Sequence, residues 1–118
     1  MRSWNDSLKK MTDKLRFAVG LAKKAGQTVT GADLILEKVR KGQPAIVIIA
    51  SDASAGSRDK LIRACEHHNV RCVVSKLGKD EISGALGLSG YTAAVAVQKH
   101  EIVNLIDRAL ETADPDGQ

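Results

Sequence analysis

The stretch Gly26-Gln-Thr-Val-Thr-Gly31-Ala-Asp-Leu-Ile-Leu-Glu-Lys-Val-Arg-Lys-Gly42 holds a strand and a helix between two glycines. Gln27 to Thr30 is short and β-branched, which predicts a brief strand. Thr30 and Asp33 form the S/T-x-x-D/E pattern of a capping box, so a helix is expected from Ala32 to Lys41. Its apolar positions are Leu34, Ile35, Leu36 and Val39, and Gly42 closes it. Gly31 falls in the first turn, where a side chain would otherwise cover the orphan N–H groups. A bare, positively polarised helix end of this kind can take an anion. An ordinary cap with a glycine in its turn is the other reading of the same residues.

Outward from this stretch, helical and strand patterns alternate. Toward the N-terminus, Leu15, Ala18, Val19, Ala22 and Ala25 recur at helical spacing from Lys14, and Gly26 stops the run. Toward the C-terminus, Ala45-Ile-Val-Ile-Ile-Ala50 reads as a central buried strand. Ser54 is a candidate N-cap for a helix running to His68, with Leu61, Ile62 and Cys65 facing inward and Asn69 as a left-handed C-cap. Val70 to Ser75 reads as a second buried strand, Lys79 to Leu86 as a short helix, and Tyr91 to Val97 as a strand after the loop Leu88-Ser89-Gly90. His100 to Leu110 is an amphipathic helix. The expected architecture is α/β: a three-layer α/β/α sandwich over a mixed sheet of about four strands. Residues 1–13 are expected to be an N-terminal extension or linker, 14–111 the domain, and 112–118 a flexible tail.

Composition narrows the chemistry. The chain has 118 residues, 43% of them hydrophobic, which suffices for one core. Aromatics are only 3%, namely Trp4, Phe17 and Tyr91, which argues against a binder that stacks successive bases on aromatic platforms. The formal charge of +4 is uneven. Arg2, Lys9, Lys10, Lys14, Arg16, Lys23 and Lys24 outnumber Asp6 and Asp13 at the front, whereas Glu101, Asp107, Glu111, Asp114 and Asp116 dominate the end. A local basic face fits a polyanion.

The apolar run Pro44 to Ala50 is too short to span a bilayer, and no signal-peptide pattern is present. Cys65 and Cys72 read as reduced thiols of a cytoplasmic protein. The run Cys65-Glu-His67-His68-Asn-Val-Arg-Cys72 matches no zinc spacing, so no metal and no cofactor are expected. Walker, G-x-G-x-x-G and G-x-S-x-G motifs are absent, and Asp52 lacks the acidic partners of a phosphoacceptor site. No enzymatic activity is expected.

Three segments carry a resemblance. They are Gly20-Leu-Ala-Lys-Lys-Ala-Gly26 leading through Thr30-Gly31-Ala32 to Arg40-Lys-Gly42; Ala45-Ile-Val-Ile-Ile-Ala-Ser-Asp-Ala53; and Ile82-Ser-Gly-Ala-Leu-Gly87 followed by Tyr91-Thr-Ala-Ala-Val-Ala-Val97. In this order and spacing the chain resembles the ribosomal-protein superfamily that binds RNA kink-turns, the large-subunit seven-Ae and thirty-e proteins, and is similar to its small bacterial members. The resemblance implies a monomeric binder of structured RNA, a kink-turn or a related fold, with ribosomal components as candidate partners and no membrane. It assigns the grip to the second helix's N-terminus, with Gly31, Ala32, Asp33, Leu34 and Glu37, and with Lys41 near the helix's end; Thr30 and Lys38 join them as candidate RNA contacts of the same segment. A covering loop of Leu88, Ser89 and Gly90 completes it, and Ser54 falls where some members touch a flipped base. Phosphates are expected on Lys23, Lys24, Lys38 and Lys41. Family members carry Asn-Glu at the positions of Asp33-Leu34 and a lysine at that of Glu37. Asn and Glu read base edges, and Asp33, Leu34 and Glu37 cannot do the same work. The rival expectation is therefore a protein-interaction or assembly module that keeps the fold without kink-turn recognition.

Overall fold

The computed structural model describes residues 4–99 and 101–111, with side chains from Thr12 to Lys99 and from 101 to 110. Its elements are α1 (Trp4–Lys24), β1 (Thr28–Thr30), α2 (Ala32–Arg40), β2 (Pro44–Ile49), α3 (Ala55–His67), β3 (Arg71–Val74), α4 (Lys79–Leu86), β4 (Ala94–Gln98) and α5 (Val103–Glu111). The strands form one sheet in the order β1-β4-β2-β3. β2 and β3 are parallel, while β4 runs antiparallel to both β1 and β2. The sheet is mixed, as expected.

Alternation along the central strands sorts the core into two layers. Ile46, Ile48, Val95 and Val97 face α1, α4 and α5, where Leu15, Val19, Ala22, Ile82 and Ile106 meet them. Val47, Ile49, Ala94 and Ala96 face α2 and α3, against Ile35, Val39, Leu61 and Cys65. This is the three-layer α/β/α arrangement. Gly20 lies on the α1–α4 contact, where a Cβ would stand 3.4 Å from the carbonyl oxygen of Ala85, at the edge of ordinary van der Waals contact.

Helices α1 to α4 end alike. Gly26, Gly42, Asn69 and Gly87 have positive φ. In each case the next residue's N–H reaches back to the last turn: Gln27 to Ala22, Gln43 to Lys38, Val70 to Cys65 and Leu88 to Ser83. These are Schellman closures, which satisfy the terminal carbonyls. The expected left-handed Asn69 is one of them, with φ 57°.

Several expectations change. α1 starts at Trp4, ten residues before Lys14, so helix replaces most of the expected extension. β3 is an edge strand with Val74 43% exposed; its β-branched composition resembled a buried strand, but only β2 covers one side of it. Residues 91–93 lie outside β4, and Tyr91 is solvent-facing rather than in the ladder. α5 starts at Val103. His100 and the expected tail at 112–118 lie outside the described residues.

Candidate nucleic-acid interface

Strand direction sets which loops meet. β1, β2 and β3 end where β4 begins, because β4 alone runs the other way. The β1–α2 junction at Gly31, the β2–α3 turn at Ser51 to Ser54, the β3–α4 turn at Ser75 to Gly78 and the loop from Gly87 to Ala93 therefore gather at one end of the sheet. β1 and β4 are also neighbours, so Gly31 emerges beside the Gly87–Ala93 loop.

Gly31, not Thr30, is the N-cap of α2. Thr30 is the last residue of β1, and no side chain caps the helix. The expected capping box is thus not formed: Thr30 is committed to the β1–β4 ladder, opposite Val95, one residue too early. Gly31 has φ 90° and ψ 124°, a conformation that L side chains resist. A Cβ built there would meet nothing within 4 Å, so the approach to the helix end is open. Ala32 is half-buried, while Asp33 and Leu34 are exposed, Leu34 at 45%. The free N–H groups of the first turn point the same way. Asp33 adds a carboxylate to that turn, where the helix dipole favours it.

The return loop is held firmly behind. Leu88 donates its N–H to Ser83 O at 2.9 Å, and Thr92 N–H donates to Ser83 Oγ at 3.0 Å. The Thr92 hydroxyl donates to Ala94 O. Ser89 and Gly90 are exposed, and the Leu88 side chain is left 37% exposed by a backbone that is pinned. Ser54 caps α3: its Oγ accepts from Ser57 N–H at 3.3 Å, which leaves its hydroxyl proton available.

Asp52 has a structural role. Its carboxylate accepts the N–H of Lys79 at 2.8 Å, so it caps α4 from the adjacent turn. Glu81 completes this end by accepting Gly78 N–H at 3.0 Å. Asp52, Lys79, Asp80 and Tyr91 line a shallow cleft. Tyr91 is 78% exposed and immediately follows Gly90, so it belongs with the loop. Its sequence signal, an aromatic directly after a Leu-Ser-Gly turn, was overridden by the strand propensity of Tyr91-Thr-Ala-Ala-Val.

The lysines named as phosphate contacts lie away from this end. Lys23 and Lys24 end α1, while Lys38 and Lys41 belong to the last turn and C-cap of α2. The nine residues of α2 span about 13 Å, so its lysines sit at the opposite end of the sheet from Gly31. Glu37 pairs with Lys41 at 3.6 Å, both side chains more than half exposed.

Cys65 and Cys72 are free thiols. Their mutual hydrogen bond, together with burial, pushes the Cys65 thiol up; the same bond, acting against burial, holds Cys72 below the ordinary value. Among the described residues no group of three or more His, Cys, Asp or Glu is arranged for a metal, and no helix is long and apolar enough to cross a membrane.

Residues 13–105 match the model of the Ribosomal protein L7Ae/L30e/S12e/Gadd45 family. Two curated relatives are the RNA-binding protein YlxQ of Bacillus subtilis, 31% identical over 52 residues, and that of Enterococcus faecium, 33% identical over 54 residues. These alignments cover 44% and 46% of this chain, and the chain spans about half the length of each relative, 52%. A solved structure of a protein with unknown function from Bacillus halodurans superimposes with TM-score 0.70 and 26% identity, covering 79% of this chain and 96% of that one. The Giardia lamblia 15.5kD RNA binding protein superimposes with TM-score 0.69 at 24% identity, covering 87% of each, a likeness of fold.

Proposed function

We infer that this chain, which belongs to the ribosomal protein L7Ae/L30e/S12e/Gadd45 family, is a non-enzymatic RNA-binding protein that grips a kink-turn or related folded RNA. Both YlxQ relatives are named as RNA-binding proteins. The observation that carries the reading is the convergence of an uncapped helix start at Gly31 with a pinned loop that exposes Leu88. The first offers N–H groups to a phosphate or base edge; the second offers an apolar cover for nucleotides that have lost their stacking partners. Leu34 and Tyr91 extend the apolar surface. With Asp33 and Leu34 where base-reading groups are expected, shape and backbone contacts supply most of the recognition.

The same exposed Leu34, Leu88 and Tyr91 favour a second reading, docking of a protein partner on this end. A gel shift with a kink-turn RNA and a duplex of the same length separates them. Preferential retardation of the kink-turn supports the RNA reading. Loss of all RNA binding at low salt removes it and leaves the protein partner.

A further inference from the structure

Gln98 is the hub of the other end of the sheet. Its N–H donates to Gln27 O at 2.8 Å on one side, and on the other it lies opposite Pro44. Three chain segments therefore converge there: the end of α1, the end of α2 and the exit from β4. The first brings Lys23 and Lys24, the second Lys38, Arg40 and Lys41, and the third Lys99. α1 and α2 lie on opposite faces of the sheet, so their basic groups flank the rim and Lys99 stands between them. Each group is fixed by the same device, a Schellman closure through Gly26 or Gly42 followed by a glutamine that leads into a strand. Cβ atoms at Gly26 and Gly42 would meet nothing within 4 Å, so both turns are open to solvent.

One lysine in a last turn complements the helix dipole. Six cations at one rim exceed that need and repel one another. Glu37 offsets Lys41. Among the described residues, Lys23, Lys24, Lys38, Arg40 and Lys99 have no carboxylate at ion-pair distance. Asp33, Asp52 and Asp80 lie at the Gly31 end beside Lys76 and Lys79, and Glu101 follows Lys99 by two residues.

We propose that this basic rim is a second RNA site, taking the phosphates of a segment separate from the one held at the Gly31–Leu88 end, so that the protein bridges two RNA segments. The proposal rests on the RNA reading above, uses none of the residues at the Gly31–Leu88 end, and moves Lys23, Lys24, Lys38 and Lys41 from the kink-turn grip to a separate site. The test uses the full chain and the triple variant Lys24→Glu, Arg40→Glu, Lys99→Glu, all exposed positions. Plain RNA duplex, with no kink, is titrated against both over a salt series. The variant, with an unchanged thermal midpoint, should flatten the slope of log K against log salt by roughly 0.7 to 0.9 for each phosphate contact removed. Kink-turn RNA on beads, loaded with the parent protein, should also capture labelled duplex; loaded with the variant, it should capture none while retaining the protein. Equal slopes for parent and variant, or equal capture, overturn the second site. If neither protein prefers the kink-turn but only the parent binds duplex, the rim stands and the reading of the Gly31 end falls.

Discussion

Thr30 of β1 lies directly across from Val95 of β4. That register pair ends β1 one residue before Gly31 and puts the uncapped start of α2 beside the loop that returns the chain to β4. Neither the helix end nor the loop forms the candidate interface alone. Antiparallel pairing of two strands far apart in sequence makes it.

Gly31 carries a backbone constraint rather than a packing one. Gly31→Ala should cost about 1–3 kcal/mol, because φ 90° is unfavourable for a residue with a Cβ although the site has room for one. Gly31→Asn should cost less, since Asn tolerates positive φ better. Denaturant unfolding of both variants checks the order; equal midpoints for Gly31→Ala and the parent would refute the strained N-cap. A bulky residue such as leucine is therefore a poor probe of RNA access, because it also loads the backbone.

Leu88→Asp is the cleaner probe. The side chain is partly exposed and its backbone is held by the Ser83 carbonyl, so stability should change by less than about 0.5 kcal/mol. Kink-turn affinity should fall at least several-fold, and the same is expected of Leu34→Asp. Unchanged affinity in both variants, with unchanged melting, would take the interface away from this end.

Glu37→Lys should raise RNA affinity and steepen its salt dependence, by removing an anion and freeing Lys41 from its partner. An exposed pair of this kind contributes about 0–1 kcal/mol, so the thermal midpoint should barely move. Affinity that falls instead would mean that Glu37 itself makes a contact.

Asp52→Ala removes the carboxylate that accepts Lys79 N–H and should lower stability by about 0.5–2 kcal/mol. Asp52→Asn keeps an acceptor oxygen and should recover part of the loss. A fully stable Asp52→Ala would show that α4 needs no cap from this turn.

Thiol modification should be ordered. With its value lowered by the hydrogen bond from Cys65, Cys72 is the first to ionise as pH rises, while Cys65, held up by that bond and by burial, stays protonated. Mass spectrometry after a brief alkylation near pH 8 should find Cys72 labelled and Cys65 labelled only in denaturant. Native labelling of Cys65 first would contradict this.

Local patterns reached far into the fold. Local patterns located each described helix and strand, α1 only from Lys14 onward; Ser54 was recognisable as a cap, and Gly26, Gly42 and Asn69 as helix ends. The misreadings share a cause. β3 and the segment from Tyr91 have strand-like composition, but burial depends on neighbours in the sheet, and β3 has one only on its β2 side. Thr30 looked like a cap because its spacing to Asp33 was right; the β1–β4 ladder claimed it instead.

The sequence by itself determined the element order, the two apolar faces of the sandwich and the glycine at the start of α2, because each follows from side-chain period or backbone freedom within a few residues. Only the tertiary structure decided that Gly31, Leu88 and Tyr91 share one end of the sheet while Lys23, Lys24, Lys38, Lys41 and Lys99 share the other. Strand direction and register sort loops to ends, and both are set by pairings such as Thr30 with Val95 and Pro44 with Gln98, between residues far apart in the sequence.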